Sequence, residues 1–148
     1  MNKFKGTLLL TLLSIGLVIA NAANAGVCNK GSLTGDYNYS LIGVSGTSLH
    51  GVGRIYFNGA GASSFSGHES YNGAAYPTSG SGTYTVSASC VAVGAVKWTS
   101  GYTTTYRLYL DQMDNVPATR VAYRGTLIAW SNAGVSFSGE LNRVIGKF

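Results

Sequence analysis

The chain has 148 residues, of which 45% are hydrophobic and only 10% charged, with a formal net charge of +5. This length supports a single core. Its basic residues stand singly along the chain, without the clustered stripe that marks a nucleic-acid binder, and this argues against nucleic acid as a partner.

At the N-terminus, Lys3 and Lys5 precede an apolar run of thirteen residues, Leu8 to Ala20. Two consecutive small-x-small sites follow, Ala20-Asn21-Ala22 and Ala23-Asn24-Ala25. This is the layout of a secretory signal peptide of bacterial type, with an apolar part too short to span a membrane well. Cleavage is expected after Ala25, leaving one domain over residues 26–148. Loss of Lys3 and Lys5 leaves eight basic and five acidic residues, a net charge of +3. No later stretch approaches the ~18 consecutive apolar residues of a membrane helix. The mature protein is therefore expected to lack a transmembrane segment and to be exported, to the periplasm or the medium.

Both cysteines, Cys28 and Cys90, lie in the mature chain. An even pair in an oxidising compartment most simply forms one disulfide. There is no C-x-x-C and no close histidine pair, so no metal site is expected, and no cofactor motif is present.

The mature chain is rich in Gly, Ser, Thr, Asn and Tyr and poor in helical periodicity. Short alternating runs bounded by Gly, Asn or Ser predict antiparallel strands. They fall at Leu33–Val44, Leu49–Phe57, Ala62–Tyr71, Gly82–Ser89, Val91–Trp98, Tyr102–Asp111, Ala118–Trp130 and Val135–Val144. Turns are expected at Asn58-Gly59, Asn72-Gly73, Ser100-Gly101, Asp114-Asn115 and Asn132-Ala133-Gly134. The fold class is all-β, a single antiparallel barrel of about eight strands, with a two-sheet β-sandwich as the alternative. A closed barrel leaves no exposed sheet edge, which suits a chain with little edge-blocking charge.

Alternation along each strand assigns faces. The apolar face carries Tyr37, Tyr39, Leu41, Ile55, Phe57, Tyr84, Val86, Tyr106, Leu108, Leu110, Val121, Tyr123, Leu127, Val135, Phe137 and Leu141. His68 and Glu69 are the only adjacent histidine and carboxylate, and as strand neighbours they must point to opposite faces. Glu69 shares its face with Phe65 and Tyr71, which turns it toward the interior or the rim, and His68 falls on the outer face. Glu140, Arg54, Arg107, Arg120 and Arg124 are also expected outside. Two readings of the tyrosine face stand side by side. In one, tyrosine fills a core as a good strand former. In the other, Tyr37, Tyr39, Glu69, Tyr71, Tyr84, Tyr106 and Tyr123 line a partly polar cavity for a small amphipathic or aromatic ligand.

Neither His50 nor His68 sits in a catalytic motif, no pair of acids is brought together by sequence, and no phosphate loop or dinucleotide fingerprint exists. No catalytic residue is assigned. The alternative to ligand binding is an extracellular protein of solid core that acts through its surface on a protein or glycan.

Gly35-Asp36-Tyr37 after a leading Cys28, "GVGRIYFNGAG" at 51–61, Asn72-Gly73 and "SGTYTVSASC" at 81–90 resemble a set of small exported bacterial proteins. Their shared pattern is a G-x-Y strand, an F-[DN]-G-x-G hairpin and G-T-Y-T-V running to a cysteine. The resemblance covers residues 28–90 and implies a small antiparallel barrel of calycin or allene-oxide-cyclase-like type, without an agreed activity. Ser89-Cys90 stands where such proteins often have Asp-Cys, so any role of that acid is absent here.

Overall fold

The computed structural model describes residues 27–44, 48–114 and 120–145. The expected signal peptide, residues 1–25, lies outside the described residues. Eight strands run in chain order: β1 Thr34–Val44, β2 Ser48–Asn58, β3 Ala62–Tyr71, β4 Ala74–Val86, β5 Val91–Trp98, β6 Thr103–Met113, β7 Ala122–Ser131 and β8 Ser136–Arg143. Each pairs antiparallel with the next, and β8 returns to β1, closing the barrel. The alternative of two packed sheets is thereby excluded. No helix of the described residues is long and apolar enough to cross a membrane. The outward positions of β3 and β4, among them Ser64, Ser66, His68, Ser79, Ser81, Thr83 and Thr85, are exposed and polar.

The expected strands match closely except at β4, which begins at Ala74 rather than Gly82, and at β7, which begins at Ala122. Ala118, where that strand is expected to start, and Asn115 of the expected Asp114-Asn115 turn lie outside the described residues. Residues 74–81 fall outside the expected strands, and they include Pro77 and the Ser79-Gly80-Ser81 run. The structure pairs them with β3, and pairing of β4 with β5 starts only at Gly80. Pro77 is tolerated there because the strand has no second neighbour at that level. The β3–β4 hairpin consequently rises past β5 as a lip. Its turn is the expected Asn72-Gly73, with φ of 51° and 78°, the left-handed pair that a tight two-residue hairpin needs.

One end of the barrel is closed by the chain ahead of β1. Asn29 caps a 3₁₀ turn, Lys30–Ser32, by accepting from Gly31 N at 2.8 Å, and Ser32 Oγ accepts in return from Asn29 N. This turn delivers Leu33 into the barrel with no exposed surface. The Tyr84 hydroxyl donates to Leu33 O at 2.8 Å and to Lys30 O at 3.1 Å. The disulfide Cys28–Cys90 ties the same segment to the β4–β5 turn. Tyr37, Phe57 and Tyr84 pack edge to face above the plug, with ring centroids 5.6 and 5.0 Å apart.

Higher in the barrel, large inward side chains face inward glycines. A Cβ on Gly53 or Gly67 would collide with Tyr39, one on Gly94 with the Tyr106 ring, one on Gly43 with Phe137 and one on Gly139 with Leu41. The absence of side chains at these positions gives a narrow eight-stranded barrel room for its aromatics. The result is nearly solid. The enclosed space among Tyr39, Phe65, Trp98, Tyr106 and their neighbours is about 20 Å³, room for about one water molecule.

Candidate site at the open end

The opposite end, where β3 turns into β4, β5 into β6 and β7 into β8, holds a pocket of about 290 Å³ that opens to solvent. Its lining is Leu49, Glu69, Tyr71, Tyr102, Ser131, Ala133, Val135 and Phe137. Sequence alternation builds it: Phe65, Gly67, Glu69 and Tyr71 share one face of β3, so the strand climbs from an apolar core to a carboxylate at the mouth. His68 is exposed on the outer wall, apart from Glu69.

The β5–β6 turn supplies the second polar group. Gly101 N donates to Trp98 O at 2.9 Å and Trp98 N to Tyr102 O at 3.0 Å, closing a tight reversal around Gly101, whose φ is 94°. This brings Tyr102 over Trp98, their rings stacked with centroids 5.8 Å apart. Trp98 is itself pinned, its Nε1 donating to Thr104 Oγ1 at 2.8 Å. The Tyr102 hydroxyl donates toward both Glu69 oxygens, at 3.2 and 3.1 Å. On the far wall, Ser131 Oγ accepts from Ala133 N and Val135 N and fixes the turn that carries the apolar lining.

The electrostatics follow from burial. Desolvation raises the Glu69 pKa above its ordinary value, and the bond from Tyr102 partly opposes this. Desolvation, then the charge of Glu69, push Tyr102 up to about 12. Tyr39, just below, is likewise raised to about 12 by desolvation and then by Glu69. Both phenols are donors at neutral pH. The Tyr39 hydroxyl is buried without a partner among the described residues.

The residues expected to line an interior cavity divide into four groups. Tyr37 and Tyr84 belong to the packed closed end, where their hydroxyls donate to Ala122 O and to the plug. Tyr39 and Tyr106 fill the middle, Tyr106 against Phe65 at 6.0 Å, so the tyrosines occupy the expected cavity themselves. Glu69 and Tyr71 line the pocket at the rim. Tyr123 is half-buried and does not line the pocket; its ring lies 6.0 Å from the Arg143 guanidinium. The cause is a pair of register shifts between β6 and β7, where Leu110 pairs with Gly125, Gln112 with Arg124 and Met113 with Ala122. Asp111 and Tyr123 are skipped, and the bulge breaks the alternation that had assigned Tyr123 inward.

Sequence reasoning missed Tyr102. The signal was present, since Tyr106, Leu108 and Leu110 extend at period two to Thr104 and Tyr102 within the expected strand Tyr102–Asp111, whose inward face is assigned only from Tyr106.

No protein-family model and no curated protein matches the chain. Among solved structures, a redesigned β-barrel, b11L5F_LGL, is similar with a TM-score of 0.58 and 16% identity, over 78% of this chain and 95% of that one. Two further redesigned barrels, each bound to DFHBI, are similar at a TM-score of 0.55. One, mFAP1, is 14% identical and matches over 77% of this chain and 97% of its own. The other, mFAP0, is 15% identical and matches over 76% of this chain and 99% of its own. The likeness is one of fold.

Proposed function

We propose that this protein is an exported, disulfide-stapled β-barrel that binds a small amphipathic molecule in the pocket at its open end. The observation that carries the reading is the Glu69–Tyr102 pair at the mouth of a pocket whose other walls are mostly apolar and aromatic. A few converging polar groups among apolar and aromatic walls are the common form of a small-molecule site, and about 290 Å³ is near the lower bound of such pockets, ~300 Å³. Two barrels of the same fold are bound to DFHBI, which supports ligand binding by this architecture. The disulfide supports export.

Native mass spectrometry of protein purified from its producing cells tests the reading. The expected result is an extra mass that leaves on denaturation. No adduct, together with unmoved pocket amides in chemical-shift titrations against a panel of amphipathic small molecules, would falsify it.

A second reading, a surface that engages an extracellular protein or glycan, is supported by Ile42, Ile128 and Trp130, exposed by 56%, 45% and 45% on the outer wall. Substitution of Trp130 by Ser separates the two: it abolishes partner capture in the second reading and leaves the adduct untouched in the first.

A further inference from the structure

The chemistry of the pocket narrows the ligand class, and this step rests on the reading of the pocket as a binding site. Glu69 points inward and is partly buried, yet the bond it receives comes from one phenol, Tyr102. An ionised carboxylate has about four acceptor positions, and a single O–H engages one edge of it. The remaining capacity faces the pocket.

No cationic side chain meets this carboxylate among the described residues. The ion pair found there, Arg124–Glu140, is on the outer wall. His50, His68 and Lys97 are exposed, with outward strand parity. The titratable groups around Glu69 are the phenols of Tyr39, Tyr71, Tyr76 and Tyr102, none of which can carry a positive charge. Partly buried charges are normally paired, and here the pairing charge is missing.

The surroundings favour one kind of partner. Tyr76 is the cross-strand partner of Glu69 and shares its face, 54% exposed on the lip. Tyr71, Tyr102 and Phe137 complete an aromatic rim around the carboxylate. Aromatic faces attract cations, while Leu49 and Val135 offer an apolar wall. An anion would meet like charge, and a neutral apolar body would leave the carboxylate unsatisfied.

We infer that the pocket takes a small organic ammonium ion, a protonated amine on an apolar or aromatic body. Its N–H groups donate to Glu69, the aromatic rim surrounds the charge, and the body packs against Leu49, Val135 and Phe137.

The test is a chemical-shift titration of the disulfide-bonded protein, read at the amides of Leu49, Ala133 and Val135. Three probes of one shape are compared: phenethylammonium, neutral 2-phenylethanol and anionic phenylacetate. Phenethylammonium is expected to bind at least about tenfold tighter than 2-phenylethanol, with phenylacetate the weakest. Glu69→Gln is expected to erase that preference through a loss of at least about tenfold in phenethylammonium affinity. Should Glu69→Gln fail to fold, Tyr76→Ala on the exposed lip takes its place, with an expected loss of about threefold or more for the ammonium alone. Equal binding of the three probes, or a preference that survives the substitution, overturns the ammonium assignment and leaves the pocket reading standing. No shift with any probe, with the near-UV signal of Trp98 intact, overturns both.

Discussion

Tyr102 and Glu69, 33 residues apart, are joined across the open end of the barrel by the Tyr102 hydroxyl, whose oxygen lies 3.2 and 3.1 Å from the two carboxylate oxygens. The bond links β3 to the β5–β6 turn and holds an acid where burial disfavours its charge. Tyr102→Phe leaves that carboxylate without its donor. The expected loss of stability at neutral pH is about 1.5 kcal/mol, the lower end of the range for a hydrogen bond to a charged group, because the pair is only partly buried. The Glu69 titration, followed by carboxyl-carbon NMR, is expected to move to higher pH. An unmoved titration would show that the bond does not stabilise the ionised form.

The pH dependence of Glu69→Gln follows from linkage. The folded-state pKa of Glu69 is raised above its ordinary value of 4.5. The folded protein therefore holds this proton more tightly than the unfolded chain, and stability falls as pH rises from 4.5 through the raised value. Above that window the ionised acid destabilises the fold; below it, it does not. Glu69→Gln is thus expected to be more stable than wild type at about pH 7, with the difference shrinking toward zero near about pH 4. Urea unfolding at the two pH values checks this, and a difference independent of pH counts against it.

Two neighbouring tyrosines on β1 are expected to respond oppositely to loss of their hydroxyls. Tyr37 donates to Ala122 O at 2.8 Å in a buried setting, so Tyr37→Phe removes a bond and orphans a carbonyl, at a cost of about 1–2 kcal/mol. The Tyr39 hydroxyl is buried with no partner among the described residues. Tyr39→Phe is expected to be neutral or to stabilise by up to about 1 kcal/mol. Equal losses in the two variants, measured by chemical denaturation, would show that Tyr39 has a partner in solution.

Much of this was legible in the sequence because period-two alternation is a local property. The strand count, the inward face of β1, β2, β6 and β8, and the opposition of His68 and Glu69 all follow from it. What alternation cannot carry is the volume balance across the barrel. The sequence shows Tyr39 and Tyr106 inward, but it does not show that Gly53, Gly67 and Gly94 face them from other strands and let the rings fill the lumen. Nor does it show a bulge, since the shifts at Asp111 and Tyr123 depend on how two strands pair. The site was half visible for the same reason. Glu69 and Tyr71 were found from their own strand, while Tyr102 became a partner only through the closure of the barrel.

The volume balance makes a prediction at Gly94. A Cβ there would press into the Tyr106 ring and the Thr83 carbonyl. Both lie in a barrel that has about 20 Å³ of free interior. Gly94→Ala is expected to destabilise by about 1–3 kcal/mol, the range for overpacking a core. Gly94→Ala combined with Tyr106→Leu is expected to recover part of that loss, because the smaller side chain returns the space. No recovery in the double variant would place the cost in the backbone and not in the ring contact.

The closed end gives the largest expected effect. Cys28 and Cys90 are 62 residues apart in sequence, and a bridge of that span restricts the unfolded chain by an amount worth about 4 kcal/mol in the chain-entropy description. The folded end has independent support: Leu33 is fully buried, and Tyr84 donates to the carbonyls of Leu33 and Lys30. Cys28→Ser with Cys90→Ser is therefore expected to lower stability by up to about 4 kcal/mol while the barrel persists. Hydrogen exchange is expected to accelerate first at Leu33 and along the β4–β5 turn. If exchange instead rises equally at Tyr102 and Val135, the bridge supports the open end too, and the plug is coupled to the pocket through the whole length of the barrel.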